Sequence, residues 1–187
     1  MTGGRITPRL STRRLELIAA TETTAAMEMR DLGRFAALLE VREPDRWPPP
    51  LNDESSQRWY IELLRRDPEA VGWGLWYVVA LGRERQLIGN VGFKGRPAGG
   101  TCEIGYSLLP AFHGRGYATE AARQLITWAF RDEAVTEVRA ETLPTLAPSI
   151  RVMEKCGMRF IGDGIPEEGQ PTVRYAITRK EFRSRPR

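Results

Sequence analysis

Only two of the 187 residues are cysteine, Cys102 and Cys156, and only one is histidine, His113. Two cysteines cannot build the disulfide framework of a small secreted domain, so a reducing cytoplasm is the expected compartment. Nothing flanks either thiol as a base, and both read as small core residues. No apolar run approaches the ~20 residues that a bilayer-spanning helix needs. The opening residues, Met1 to Arg9, lack the apolar stretch of a secretion signal. There is no internal repeat and no long low-complexity segment, and no metal is expected.

What is present fits one soluble domain over 1–187, with 1–8 and 180–187 as frayed ends. Hydrophobic residues make up 41% and charged residues 28% of the chain, enough for a packed core. The net charge is +4, with a pI near 9.4, which suits an anionic cofactor or partner without requiring one. The tail holds five of the 28 basic residues, Arg179, Lys180, Arg183, Arg185 and Arg187. That tail lacks aromatic interleaving, so nucleic acid is not an expected partner.

Periodicity predicts a strand over 14–18 and a helix over 24–40, with Ala26, Met29, Phe35, Leu38 and Leu39 on its apolar side. The run 44–50, with Trp47 among four prolines, is a stiff loop. Asn52 or Asp53 caps a second helix running to about residue 66. Residues 73–81 form a continuous apolar strand covered on both faces, with Trp73 and Trp76 in the core. Further strands are expected over 87–93, 138–142, 158–161 and 173–178, and a short helix over 149–156 with Gly157 at its end. This mixture implies an α+β sandwich, with helices covering a mostly antiparallel sheet.

The most informative stretch is 102–122. Cys102, Ile104, Tyr106 and Leu108 alternate with Glu103, Gly105, Ser107 and Leu109, which is strand period. Pro110 stops the strand. Gly114 and Gly116 mark a turn, and from Ala118 the spacing Ala118, Ala122, Leu125, Ala129 is that of a helix. A glycine-rich turn feeding a helix N-terminus aims unpaired N–H groups at one spot where the helix dipole favours negative charge. That is chemistry for holding a phosphate.

The blocks His113-Gly-Arg-Gly-Tyr-Ala118, Glu103-Ile-Gly-Tyr106, Ser149-Ile-Arg-Val-Met-Glu-Lys-Cys-Gly-Met158 and Thr12-Arg-Arg-Leu15 resemble the GNAT superfamily of N-acyltransferases, in particular its RimJ/RimL-like branch. They follow the family's order and cover roughly residues 9–178. The resemblance implies a GNAT-type mixed, mostly antiparallel sheet of about seven strands with helices on both faces. It implies acetyl-CoA as co-substrate. The N–H groups of Gly114, Arg115, Gly116, Tyr117, Ala118 and Thr119 would cradle its pyrophosphate, and the main chain of Tyr106, Ser107 and Leu108 would pair with pantetheine. Leu108 N–H is the candidate to polarise the thioester carbonyl. Three positions depart from the family pattern: His113 where Gln or Arg is usual, Leu146 where the branch has a capping Asn, and Met153 where many members place the tyrosine that protonates the leaving thiolate.

The implied reaction is direct transfer of an acetyl group from acetyl-CoA to a primary amine, either a protein N-terminus or a small-molecule amine. Glu103 is the candidate base, the alternative being a structural carboxylate paired with an arginine. Ser149 is the candidate donor to the thiolate or to pantetheine, the alternative being a helix cap. A non-catalytic acyl-CoA-binding or sensing module stands as the second functional reading, and a homodimer is left open.

Overall fold

The computed structural model describes residues 7–50, 52–164 and 170–184. Its elements run β1 (Arg9–Ser11), β2 (Leu15–Ala19), α1 (Glu22–Arg30), α2 (Leu32–Leu38), α3 (Glu54–Arg66), β3 (Leu75–Ala80), β4 (Gln86–Phe93), β5 (Thr101–Leu108), α4 (Tyr117–Ala129), β6 (Glu137–Thr142), α5 (Ala147–Cys156), β7 (Arg159–Asp163), β8 (Val173–Thr178) and α6 (Arg179–Arg183). The strands form one eight-stranded sheet in the order β1-β2-β3-β4-β5-β6-β8-β7. Every neighbouring pair is antiparallel except β5 and β6.

The continuous apolar run of β3 is buried at all six positions because both faces are covered. Trp76 and Val78 join the layer beneath α4 and α5, while Leu75, Tyr77 and Val79 join the layer beneath α1 to α3. Helix α4 buries Ala121, Ala122, Leu125, Ile126 and Ala129 against the first layer. Each fully buried Leu or Ile contributes about 1.5–3 kcal/mol. Trp73, Trp76, Phe93 and Trp128 stack in that layer, with 4.7 Å between the Trp73 and Trp128 rings.

The structure departs from the sequence expectations in four places. The helix expected over 24–40 is two helices, because Asp31 leaves the helical region and its carboxylate caps Arg34 N–H at 2.9 Å. The buried positions of α1 are Ala25 and Glu28, and Leu38 is exposed. The three-residue β1 brings the sheet to eight strands rather than about seven. The frayed ends are shorter than expected: Pro8 O accepts from Ala19 N, and α6 is capped by reciprocal bonds between Thr178 and Glu181. Residues 1–6 and 185–187 lie outside the described residues. The cap of α3 is Asp53, which accepts from Ser56 N at 2.8 Å.

A bulge where β3 passes from Val78 to Val79 sets the site. Gly89, at φ 158°, lies where a Cβ would come within 2.3 Å of Ser107 O. The extra residue turns both Ile88 and Val91 toward the α4 side. Asn90 is left facing the α1–α3 side, beside Ser107.

Candidate active site

The turn before α4 uses two left-handed glycines, Gly114 at φ 72° and Gly116 at φ 78°. Among the described residues, the N–H groups of Gly114, Arg115 and Gly116 find no protein acceptor. Those of Tyr117, Ala118 and Thr119 are the first-turn donors of α4, which have no intrahelical partner, and no side chain caps this helix. A Cβ on Gly114 would meet nothing within 4 Å. Six adjacent donors at the positive end of a helix fit a diphosphate.

Sequence reasoning missed what stiffens this turn. Thr12 Oγ1 donates to Glu120 Oε1 at 2.6 Å, and Arg14 Nε donates to Glu120 Oε2 at 2.7 Å. Arg14 also donates through Nη1 to Arg115 O at 3.0 Å and lies over the Tyr117 ring at 4.5 Å. Burial pushes the Glu120 carboxyl up, but the bonds from Thr12 and Arg14 outweigh it and hold it below its ordinary value. The Thr12-Arg-Arg-Leu15 block marked this place, although nothing in its spacing says that it clasps a helix a hundred residues away.

Beside the turn, β5 opens. It pairs with β6 only at Thr101↔Glu137, Cys102↔Val138 and Glu103↔Arg139. Beyond Glu103 the two strands part, so the edge from Ile104 to Leu108 has no strand on that side. On the other side Lys94 N donates to Glu103 O and Leu109 N donates to Ile88 O. Main-chain groups alternate in direction along a strand. The odd residues therefore face β4, and Ile104, Tyr106 and Leu108 face the gap. The main chain of Tyr106 and the N–H of Leu108 thus face a side with no strand partner. Ser107 differs from the expectation: its main chain is paired with Asn90, and its hydroxyl donates to Pro50 O at 2.5 Å. His113 Nε2 lies 2.8 Å from Leu108 O and ties the turn to the end of β5.

At the gap, Tyr106 meets Ser149. The phenol donates to Ser149 O at 2.9 Å and lies 3.2 Å from Ser149 Oγ. Burial pushes the Tyr106 phenol up to about 12, against the bond to Ser149. Ser149 is not the cap of α5. Leu146 stands at the cap and offers only its carbonyl, to Ser149 N at 2.9 Å. Met153 is buried in the core. Glu103 forms an ion pair with Lys94, not with an arginine, at 2.6 Å. Both cysteines are buried, and burial pushes the Cys102 thiol up to about 12.

The opposite face of the gap is walled by the loop before α3. Asn52 Oδ1 accepts from Asn90 Nδ2 at 3.0 Å. Behind it lies Glu28, a buried carboxylate whose only partners among the described residues are neutral donors. Its Oε1 accepts from Trp47 Nε1 at 2.8 Å and Gln57 Nε2 at 2.9 Å, and its Oε2 from Tyr77 OH at 2.8 Å. Burial raises its pKa, outweighing those three bonds. Trp47 thus caps the helix layer against Phe35, at 6.1 Å between rings. Among the described residues there is no cluster of three metal-ligating side chains and no helix long and apolar enough to cross a membrane.

The family profile described as "Acetyltransferase (GNAT) domain" matches residues 23–159. The chain is 38% identical over 89 residues to the FsC-acetyl coenzyme A-N(2)-transacetylase of Aspergillus fumigatus, a match over 43% of this chain and 37% of that protein. It is 34% identical to the uncharacterized N-acetyltransferase YnaD of Bacillus subtilis over 57% of this chain and 65% of that one. The chain thus spans about a third to two thirds of the length of these relatives. A ribosomal-protein-S5-alanine acetyltransferase from Vibrio fischeri shares the fold, with a TM-score of 0.64 at 18% identity over 94% of this chain and 98% of that one. The match through the heart of the chain, over the clasped glycine turn and the strand gap beside it, places this protein in the GNAT acetyltransferase family.

Proposed function

We propose that the protein transfers an acetyl group from acetyl-CoA to a primary amine by direct attack in a ternary complex. The observation that carries this reading is the parting of β5 from β6 after three rungs, beside an uncapped helix turn. In this reading the six N–H groups from Gly114 to Thr119 hold the diphosphate, and the main chain of Tyr106 and the N–H of Leu108 face the gap. Acetyl-CoA supplies a thioester, an acyl group already activated toward nitrogen nucleophiles. Leu108 N–H points into the gap as the donor for the carbonyl oxygen. The C=O of Leu108 is taken by His113, which ties the end of β5 to the glycine turn.

The amine must lose a proton to attack, and the leaving sulfur must be met by one. Glu103, at the mouth of the gap, takes the amine proton. The Tyr106–Ser149 pair supplies the donor on the other side, filling the role that Met153 cannot. Because the phenol sits near 12, it stays protonated throughout the neutral range and can donate. The acceptor is a protein N-terminus or a small-molecule amine.

Incubation with acetyl-CoA, a panel of amines and a thiol reagent tests the reading: CoA release that depends on the amine supports it. Tight CoA binding with no release across the panel would favour a non-catalytic acyl-CoA-binding module. Tyr106→Phe should lower kcat by about 100-fold while CoA affinity, which rests on the main chain, is kept. Glu103→Gln should lower kcat most at acid pH, again at unchanged CoA affinity; an unaltered pH–rate profile removes Glu103 from the mechanism.

A further inference from the structure

Three glycines lie in the strands beside the gap, and two of them have structural reasons. Gly89 sits at the bulge with φ 158°. A Cβ on Gly92 would fall 2.6 Å from Gly74 O. Gly105, opposite Gly92 on β5, has neither reason. Its φ is outside the left-handed region, and a Cβ there would meet nothing within 4 Å. A glycine inside a strand weakens it, and one that neither a turn nor packing requires marks a close approach by something else.

The surroundings say what approaches. Gly105 is the first residue on its face beyond the last β5–β6 rung, Glu103↔Arg139. Its neighbours on that face are Glu103 and Ser107. Glu103 brings a carboxylate, held by Lys94. Ser107 is fixed by Pro50 O, and Asn90 beside it by Asn52. Its sequence neighbours Ile104 and Tyr106 turn their main chains into the gap. The open volume over Gly105 therefore lies between a carboxylate and a rigid polar wall, against the line on which a thioester would lie.

From this we infer that Gly105 sets acceptor specificity: the space its missing side chain leaves admits the carbon that bears an aliphatic primary ammonium group, with Glu103 facing the nitrogen. The inference rests on the transfer reading above. It makes residue 105 a size filter on the atoms next to the amine, independent of the coenzyme. Alanine at this position is compatible with the backbone, so the variant tests the space rather than the fold.

Gly105→Ala and Gly105→Leu would be compared with the unmodified protein, with glycinamide, alaninamide, valinamide and spermidine as acceptors. The expected result is a fall in kcat/KM of about tenfold or more for Gly105→Ala, steepest for the branched valinamide and deeper still for Gly105→Leu. The CoA dissociation constant from calorimetry should stay within about twofold, and Tm should be unchanged or raised. Unchanged kcat/KM in both variants overturns the inference. So does CoA binding weakened about tenfold or more by Gly105→Ala, which would give the space to pantetheine. No CoA release by the unmodified protein with any of the four amines overturns the transfer reading, and this inference falls with it.

Discussion

Calorimetry on a Gly116→Val protein should show coenzyme A affinity lowered by about 100-fold or more, with the fold retained. The residue caps α4 at φ 78°. A non-glycine residue held there costs about 1–2 kcal/mol, and a β-branched one more. Its Cβ would lie 3.5 Å from Arg14 Nη2, so the branch presses on the side chain that clasps the turn. Relief comes from rotating the peptides on either side, which swings the N–H groups of Gly116 and Tyr117 off the phosphate. Charge-assisted hydrogen bonds contribute about 1.5–3 kcal/mol each, so losing two amounts to about 100-fold or more in affinity. The strain itself should cost only a few degrees of Tm in a chain of this size. Undiminished affinity would show that the diphosphate is not held by these main-chain donors.

Removing Glu28 should damage the protein in a different way. Glu28→Ala leaves the buried Tyr77 hydroxyl and the half-buried Trp47 indole N–H and Gln57 amide without their acceptor. Each orphaned donor costs about 1–3 kcal/mol, partly relieved by relaxation, so the expected loss is about 3–5 kcal/mol. That corresponds to a fall in Tm of about 10 °C. The three donors come from the proline loop, α3 and β3, so acceptor KM should rise while CoA affinity holds.

The raised pKa of Glu28 gives a signed pH dependence. The folded protein holds this proton more tightly than the unfolded chain. The stabilisation is therefore complete below the ordinary glutamate value of 4.5 and is lost as pH rises through the raised one. Urea midpoints of the unmodified protein, measured against Glu28→Gln, should show an advantage that shrinks with rising pH over that window. A difference independent of pH would mean that Glu28 titrates normally.

Residues differ in how openly a sequence displays them. The period-two run from Cys102 to Leu108 and the change to helical spacing at Ala118 mark β5 and α4, because each is decided by local apolar alternation. The glycine turn is equally visible, since left-handed backbone requires a particular residue type. The break at Asp31 is hidden inside a run that continues to look helical, and β1 is too short to show a period. Glu28 leaves no local signal at all: a glutamate in a helix reads as solvated, and only its fold partners make it buried. The Tyr106–Ser149 meeting and the clasp of Arg14 on Glu120 likewise join segments far apart in sequence. Elements follow from neighbours along the chain, whereas the chemistry of the site follows from neighbours in space.

The bonds from Thr12 and Arg14 to Glu120 bear on how the chain matures. The hairpin of β1 and β2 is synthesised before α4, so the Arg14 guanidinium cannot reach its Glu120 partner until the helix bearing it has been made. The glycine turn thus becomes stiff only after the ends of a long segment have met. Every strand from β2 to β5 lies between the two partners, so this contact closes only after more than half of the sheet has been made.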